Sequence, residues 1–182
     1  FYGGRSSDFG GPRAVASDPS GNFVVTWSSK NEDGDDWGVY AQRYNAAGVT
    51  QGGPLLVNTT TTQQQVHSSV AMDNAGNFVI VWSSQDQDGD NWGVYGRRYD
   101  AAGAAQGSEF QVNTYTNSEQ LGASVAMDRA GNFVVTWSSL NQDGNNWGVY
   151  AKRFNAAGVP QGGEFRVNNT TAPFLQLPGT LG

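Results

Sequence analysis

The sequence predicts an all-β protein of three four-stranded antiparallel repeats, arranged as β-propeller-like blades. Three observations carry this. The segment Gly21-Asn22-Phe23-Val24-Val25-Thr26-Trp27-Ser28-Ser29 returns at Gly76 and again at Gly131, two steps of 55 residues with no insertion or deletion. Within it Phe23, Val25 and Trp27 share one face by the period of two, Val24 and Thr26 share the other, and both faces are largely apolar. No stretch keeps a helical period over three turns. A strand apolar on both sides needs cover on both sides, which blades stacked around an axis provide. The alternatives are a three-fold β-prism or a β-trefoil. A trefoil repeat is usually shorter and gives no reason for two apolar faces.

Taken in order, residues 1–11 fall where the end of a preceding repeat and its linker would lie. Repeat one spans 12–66, repeat two 67–121 and repeat three 122–168; residues 169–182 form a tail, read as a loose extension or a docking arm. Each repeat opens with a short strand ending in Asp (Ala14–Asp18, Ser69–Asp73, Ser124–Asp128), then a turn rich in Gly and Asn. The doubly apolar strand follows. A polar loop (31–36 in repeat one) carries an Asp-Gly step, a hairpin signal. The third strand, Trp37–Tyr44, places Val39, Ala41 and Arg43 on one face and Tyr40, Gln42 and Tyr44 on the other. After a turn at Asn45–Gly48, a fourth strand lies near Pro54–Val57, and a Thr/Gln-rich connector, 58–65, leads onward.

Composition bounds the function. A net charge of −6 and a pI near 4.5 argue against nucleic acid and anionic membrane surfaces as partners. No apolar run approaches the roughly 18 residues of a spanning helix, so no membrane insertion is expected. There is no Cys, hence no disulfide framework and no thiolate chemistry. The chain starts at Phe1 rather than Met, which reads as a processed or excised piece and is suggestive of export. Asn58-Thr59-Thr60 and Asn169-Thr170-Thr171 fit the glycosylation sequon.

Candidate chemistry lies in the loops. Asp33 and Asp35, then Asp86, Asp88 and Asp90, then Asp143 offer oxygen ligands of the kind Ca²⁺ prefers. The competing reading is a solvated turn in which Asp and Asn bond local backbone. Only the Asp of the Asp-Gly step (Asp33, Asp88, Asp143) is present in every copy. Trp27, Trp82 and Trp137 belong in the core. Trp37, Trp92 and Trp147 open the third strand beside the acidic loop, and an aromatic ring with adjacent Asp and Asn is the equipment of a sugar site. Arg43, Arg98 and Arg153 recur and suggest an interface ion pair, with Asp18, Asp73 and Asp128 as partners. His67, the only histidine, is expected in an exposed connector.

The pattern Gly-Asn-Phe-Val-Val-x-Trp-Ser-Ser … Asp-Gly-x-x-Trp-Gly-Val-Tyr-Ala-x-Arg-Tyr … Glu-Phe-x-Val-Asn resembles tandem repeats of large secreted and surface proteins of bacteria, repeats that often stand beside RTX-type calcium-binding or adhesin modules. The resemblance covers about Pro12 to Asn168 and implies an extracellular or cell-surface, non-catalytic module. The nonapeptide calcium repeats themselves are absent. Three near-copies of each feature favour binding or scaffolding over catalysis, which normally needs one asymmetric cluster. The expectation is therefore a structural or adhesive repeat protein, not an enzyme. Its open blade faces should associate into a homo-oligomer, a filament or a longer array. The alternative is a lectin-like glycan-binding module, with or without calcium. A propeller glycosidase fragment is a further reading.

Overall fold

The computed structural model describes residues 13–144 and 146–169; the N-terminal segment, and the tail beyond Asn169, lie outside the described residues. The described chain is all-β. The first sheet is β1 (Ala14–Ser17), β2 (Phe23–Lys30), β3 (Trp37–Tyr44) and β4 (Leu55–Leu56). The second is β5 (Gln65–Met72), β6 (Phe78–Gln85), β7 (Trp92–Tyr99) and β8 (Phe110–Gln111); the third is β9 (Gln120–Met127), β10 (Phe133–Leu140), β11 (Trp147–Phe154) and β12 (Phe165–Arg166). In each sheet the strands lie in chain order and pair antiparallel, forming propeller-like blades.

The long pairings keep the predicted faces. Trp27 lies opposite Tyr40 and Phe23 opposite Tyr44, while Val24 and Thr26 face Arg43 and Ala41. The first-strand turn is held by its Asp: Asp18 Oδ1 accepts from the backbone N–H of Ser20 (2.8 Å) and of Asn22 (3.0 Å), and Oδ2 accepts from Asn22 Nδ2 (2.7 Å). Asp73 and Asp128 repeat these bonds. The accompanying glycines, Gly21, Gly76 and Gly131, all have φ between 83° and 86°, where a side chain would be strained.

Two details depart from expectation. The boundaries at 66/67 and 121/122 fall inside β5 and β9, because the polar connector ends in sheet: Gln65 pairs with Ser84 and Gln120 with Ser139, and both glutamines are fully buried. His67 is therefore not in a connector. It sits in β5 at a break in register between Val66 and Ser69, with an exposed side chain and φ of 58°. Gly122 takes the equivalent place in β9 at φ 69°.

The core lies between blades, not within them. Val24, Val39, Ala41 and Val57 of the first blade pack on Phe78, Ile80, Trp82, Tyr95 and Tyr99 of the second. Val79, Val81, Val94 and Val112 of the second meet Phe133, Val135, Trp137, Tyr150 and Phe154 of the third. Stacking is head to tail: the aliphatic face of one blade always meets the aromatic face of the next. Trp82 and Trp137 are core, as expected. Trp27 is only half-buried, because no described blade covers its face.

Candidate functional site

The acidic loops are built into the framework of their own blade. Asp33 Oδ2 accepts from Asn58 Nδ2 at 3.1 Å, and Asp88 Oδ2 accepts from Gln111 Nε2 (3.1 Å) and Asn113 Nδ2 (3.3 Å). Asp143 forms an ion pair with Arg166 at 2.7 Å. Burial pushes the Asp88 carboxyl above its ordinary range, against the opposing bond from Asn113. Asp35 and Asp90 cap the connectors, accepting from the N–H of Gln63 (2.9 Å) and of Ser118 (2.8 Å). Asp86 sits at φ 58° where the loop begins, its N–H bonded across the loop to the carbonyl of Asn91. Among the described residues no three His, Cys, Asp or Glu side chains converge on a point that could hold a metal ion. The Asp-Gly step closes no two-residue hairpin; its loop spans the six residues from Asn31 to Asp36, whose N–H and C=O meet at 2.6 Å.

The loop carboxylates lead into a buried polar chain that the sequence reading missed. Asn58 Oδ1 accepts from the N–H of Val39 (2.7 Å) and its Nδ2 donates to Gln65 Oε1 (3.2 Å); Asn113 does the same with Val94 and Gln120. Asn168 Oδ1 accepts from Val149 N–H at 2.8 Å. The signal was present as the recurring Val-Asn pair at 57–58, 112–113 and 167–168. Asn58 is buried in this chain and is not available as a glycosylation acceptor in the folded protein.

Trp37, Trp92 and Trp147 stand half-exposed at the start of the third strand, opposite Lys30, Gln85 and Leu140. Beside Trp37 the loop forms an open, shallow depression from Lys30, Asn31, Gly34, Asp35 and Asp36. Enclosed space lies elsewhere, at the joints between blades.

The recurring arginines make these joints, and they do not pair with Asp18, Asp73 or Asp128, whose carboxylates hold their own turns. Arg43 Nη1 donates to the carbonyl of Ala102, and Arg98 Nη1 to that of Ala156 at 2.8 Å, each in the next blade. Other bonds run backward. Glu109 accepts from Thr59 N–H (2.7 Å) and Thr60 Oγ1 (2.9 Å) in the connector of the preceding blade, and Glu164 accepts from Thr114 N–H (2.6 Å) and Tyr115 N–H (3.1 Å). Arg97 and Lys152 likewise reach back, to the carbonyls of Val57 (3.1 Å) and Val112 (2.9 Å).

Between these bonds each joint encloses a polar pocket. The first, about 220 Å³, has Asp18, Arg43, Gln51 and the strand ends at Phe23 and Tyr44, whose rings belong to the other face of the blade, on one side, and Gly76 and Ala101 on the other. The second, about 250 Å³, has the residues 55 further on: Asp73, Arg98, Gln106, Phe78 and Tyr99, facing Gly131 and Ala156. On the third blade Asp128, Arg153, Gln161, Phe133 and Phe154 line an open groove. The side-chain amide of Asn22 holds the Asp18 carboxyl below its usual range, and that of Asn132 does the same for Asp128, so both are anionic at neutral pH.

No protein-family model and no curated protein matches the sequence. Solved structures do resemble the fold. An endo-arabinase from Bacteroides thetaiotaomicron has a TM-score of 0.51 at 15% identity, covering 98% of this chain and 66% of its own. A protein of unknown function from Dyadobacter fermentans has a TM-score of 0.56 at 11% identity, over 86% of this chain and 53% of its own. A fucose lectin from Kordia zhangzhouensis, in complex with methyl-fucoside, aligns at a TM-score of 0.47 and 11% identity, over 88% of this chain and 100% of its own. The chain thus spans between half and two thirds of the length of the first two. The likenesses to the endo-arabinase and to the Dyadobacter protein accord with the propeller-like fold. No helix among the described residues is long and apolar enough to cross a membrane.

Proposed function

We propose that the chain is a non-catalytic adhesive module that binds carbohydrate in the pockets between its blades. The observation that carries this reading is the pair of joint pockets, whose lining positions correspond at a spacing of 55 and carry the same residue at all but one. Each sets a carboxylate acceptor (Asp18 or Asp73), a guanidinium donor (Arg43 or Arg98) and an amide (Gln51 or Gln106) around one small space. An acceptor and a donor set opposite each other suit a neutral, polyhydroxylated ligand, whose hydroxyls donate to the carboxylate and accept from the arginine. The second pocket also contains Asp100, but the first has Asn45 there, so the shared equipment holds one carboxylate. Hydrolysis of a glycosidic bond generally takes two. Repeated weak sites suit adhesion, because linked sites gain avidity without new contacts. The resemblance to repeats of secreted bacterial proteins supports an extracellular or cell-surface setting.

The test is an amide NMR titration with a panel of neutral monosaccharides. Shifts concentrated at Gly76 and Gly131, weakened by Gln51→Ala and Gln106→Ala respectively, are expected. Shifts confined to the indole N–H groups of Trp37, Trp92 and Trp147 would move the site to the blade ends. An unresponsive spectrum across the panel would leave only the structural role.

A further inference from the structure

Beyond ligand binding, we infer that the chain associates with itself head to tail, the aliphatic face of blade three in one copy seating on the aromatic face of blade one in the next. Inside the chain that interface is already made twice. The aromatic face that blade two buries, built from Val70, Phe78, Ile80, Trp82, Tyr95 and Tyr99, exists in blade one as Val15, Phe23, Val25, Trp27, Tyr40 and Tyr44. There most of it is uncovered: Val70 is 7% exposed and Val15 65%, and Trp82 is fully buried whereas Trp27 is half-buried, while Tyr40, stacked on Trp27, is buried. The aliphatic face that blade one buries, built from Val24, Thr26, Val39, Ala41 and Val57, recurs in blade three as Val134, Thr136, Val149, Ala151 and Val167. Val57 is fully buried, whereas Val167 is 50% exposed. The two open faces are thus the two halves of one joint, and a second copy supplies each with its missing partner.

The polar bonds at that joint divide. Arg43 and Arg98 each reach a turn carbonyl of the following blade; Arg153 keeps the position but bonds only Gln161 O of its own blade, at 3.3 Å. In a second copy the turn at Ala46 and Ala47 would stand where Ala101, Ala102 and Ala156 stand. The backward bonds are gone. Pro54 replaces Glu109 and Glu164, and Gln42 replaces Arg97 and Lys152, turning instead to Arg43 O (2.9 Å) and Gly52 O (3.1 Å) within its own blade. The joint between copies therefore keeps its apolar surface and one clasp of three. It is weaker than the joints inside the chain, and reversible. Because unlike faces meet, the contact is heterologous and closes into a ring or runs on as a filament. It also completes the groove of Asp128, Arg153 and Gln161 into a third pocket, its far wall supplied by Gly21 and Ala46 of the second copy.

Light scattering after size exclusion tests this on the whole chain and two exposed-face variants, Val15→Glu and Val167→Glu, each checked for an unchanged circular dichroism spectrum. Wild type should give masses at whole multiples of 19.4 kDa that fall on dilution. Each variant alone should be monomeric. Mixed one to one they should form a dimer and nothing larger, since each retains the face the other lacks. A wild type monomeric at high concentration, whichever segment then covers the faces, overturns the inference. So do variants that associate like wild type, or a mixture that stays monomeric. Sugar binding at the internal pockets is read separately and does not bear on this outcome.

Discussion

Glu109 in the second blade accepts the backbone N–H of Thr59, at 2.7 Å, in the connector of the first. The two residues are 50 positions apart, and the same carboxylate also receives Thr60 Oγ1 and Gln87 Nε2. One side chain thus ties a strand end, a loop and the neighbouring blade together.

Burial pushes the Glu109 carboxyl up, but the bonds from Thr59, Thr60 and Gln87 outweigh it and hold the group below its ordinary range. With the folded pKa depressed, its stabilisation is fully present above the usual glutamate pKa and is lost as pH falls through the folded value. Glu109→Gln should therefore lower stability at neutral pH by about 1–3 kcal/mol and flatten the acid limb of a melting-temperature profile. An acid limb as steep as that of wild type would count against this role.

A side chain added at Gly93 would place its Cβ 2.5 Å from Asp88 Oδ2, and one at Gly38 would meet Asp33 Oδ2 at 2.4 Å. Both contacts are too close to survive without moving a half-buried, hydrogen-bonded carboxylate. Gly93→Ala should cost about 1–3 kcal/mol as overpacking of a filled site. Gly53→Ala, where nothing lies within 4 Å, is the control in urea denaturation and should cost far less.

His67 holds a left-handed backbone at φ 58° where Gly122 holds the equivalent bulge. Its side chain is exposed, so little packing is lost by removing it. His67→Gly is expected to stabilise by about 1 kcal/mol, since left-handed backbone costs a residue with a Cβ roughly that much. Calorimetry should show a raised melting temperature. A lowered one would mean the ring contributes more than its strain costs.

The oxygens of Asp33, Asp35, Asp88 and Asp90 receive protein N–H groups, so a calcium chelator should leave the melting temperature unmoved. Asp88→Ala should still destabilise the chain, because it strips an acceptor from Gln111 and Asn113. A chelator-induced drop in melting temperature that tracks calcium concentration would reverse the assignment and make these residues ligands.

The blades were legible in the sequence because alternation along a strand is a local property. Phe23, Val25 and Trp27 announce one face, Val24 and Thr26 the other, and the pairing follows. What escaped depends on distance in sequence. The acidic loops look like ligands when read alone, since the donors that engage Asp88 stand 23 and 25 residues away. Arg98 looks like half of a salt bridge, since its acceptor is a carbonyl 58 residues on. Trp27 and Trp82 sit in nearly identical strings, yet only Trp82 is fully buried, because burial is decided by the next blade.

The lacing of the joints has a consequence for how such a chain can change length. Each internal joint is tied by one arginine reaching forward and by a glutamate and a cation reaching back, and every one of these ends in the adjacent repeat. No bond described here skips a blade. A recombination event that copies or removes the second or third repeat, in register, would hand each new neighbour the same donors and acceptors as the old one. Gain and loss of blades would then be close to neutral for the chemistry of the joints, and only the terminal faces would register the change.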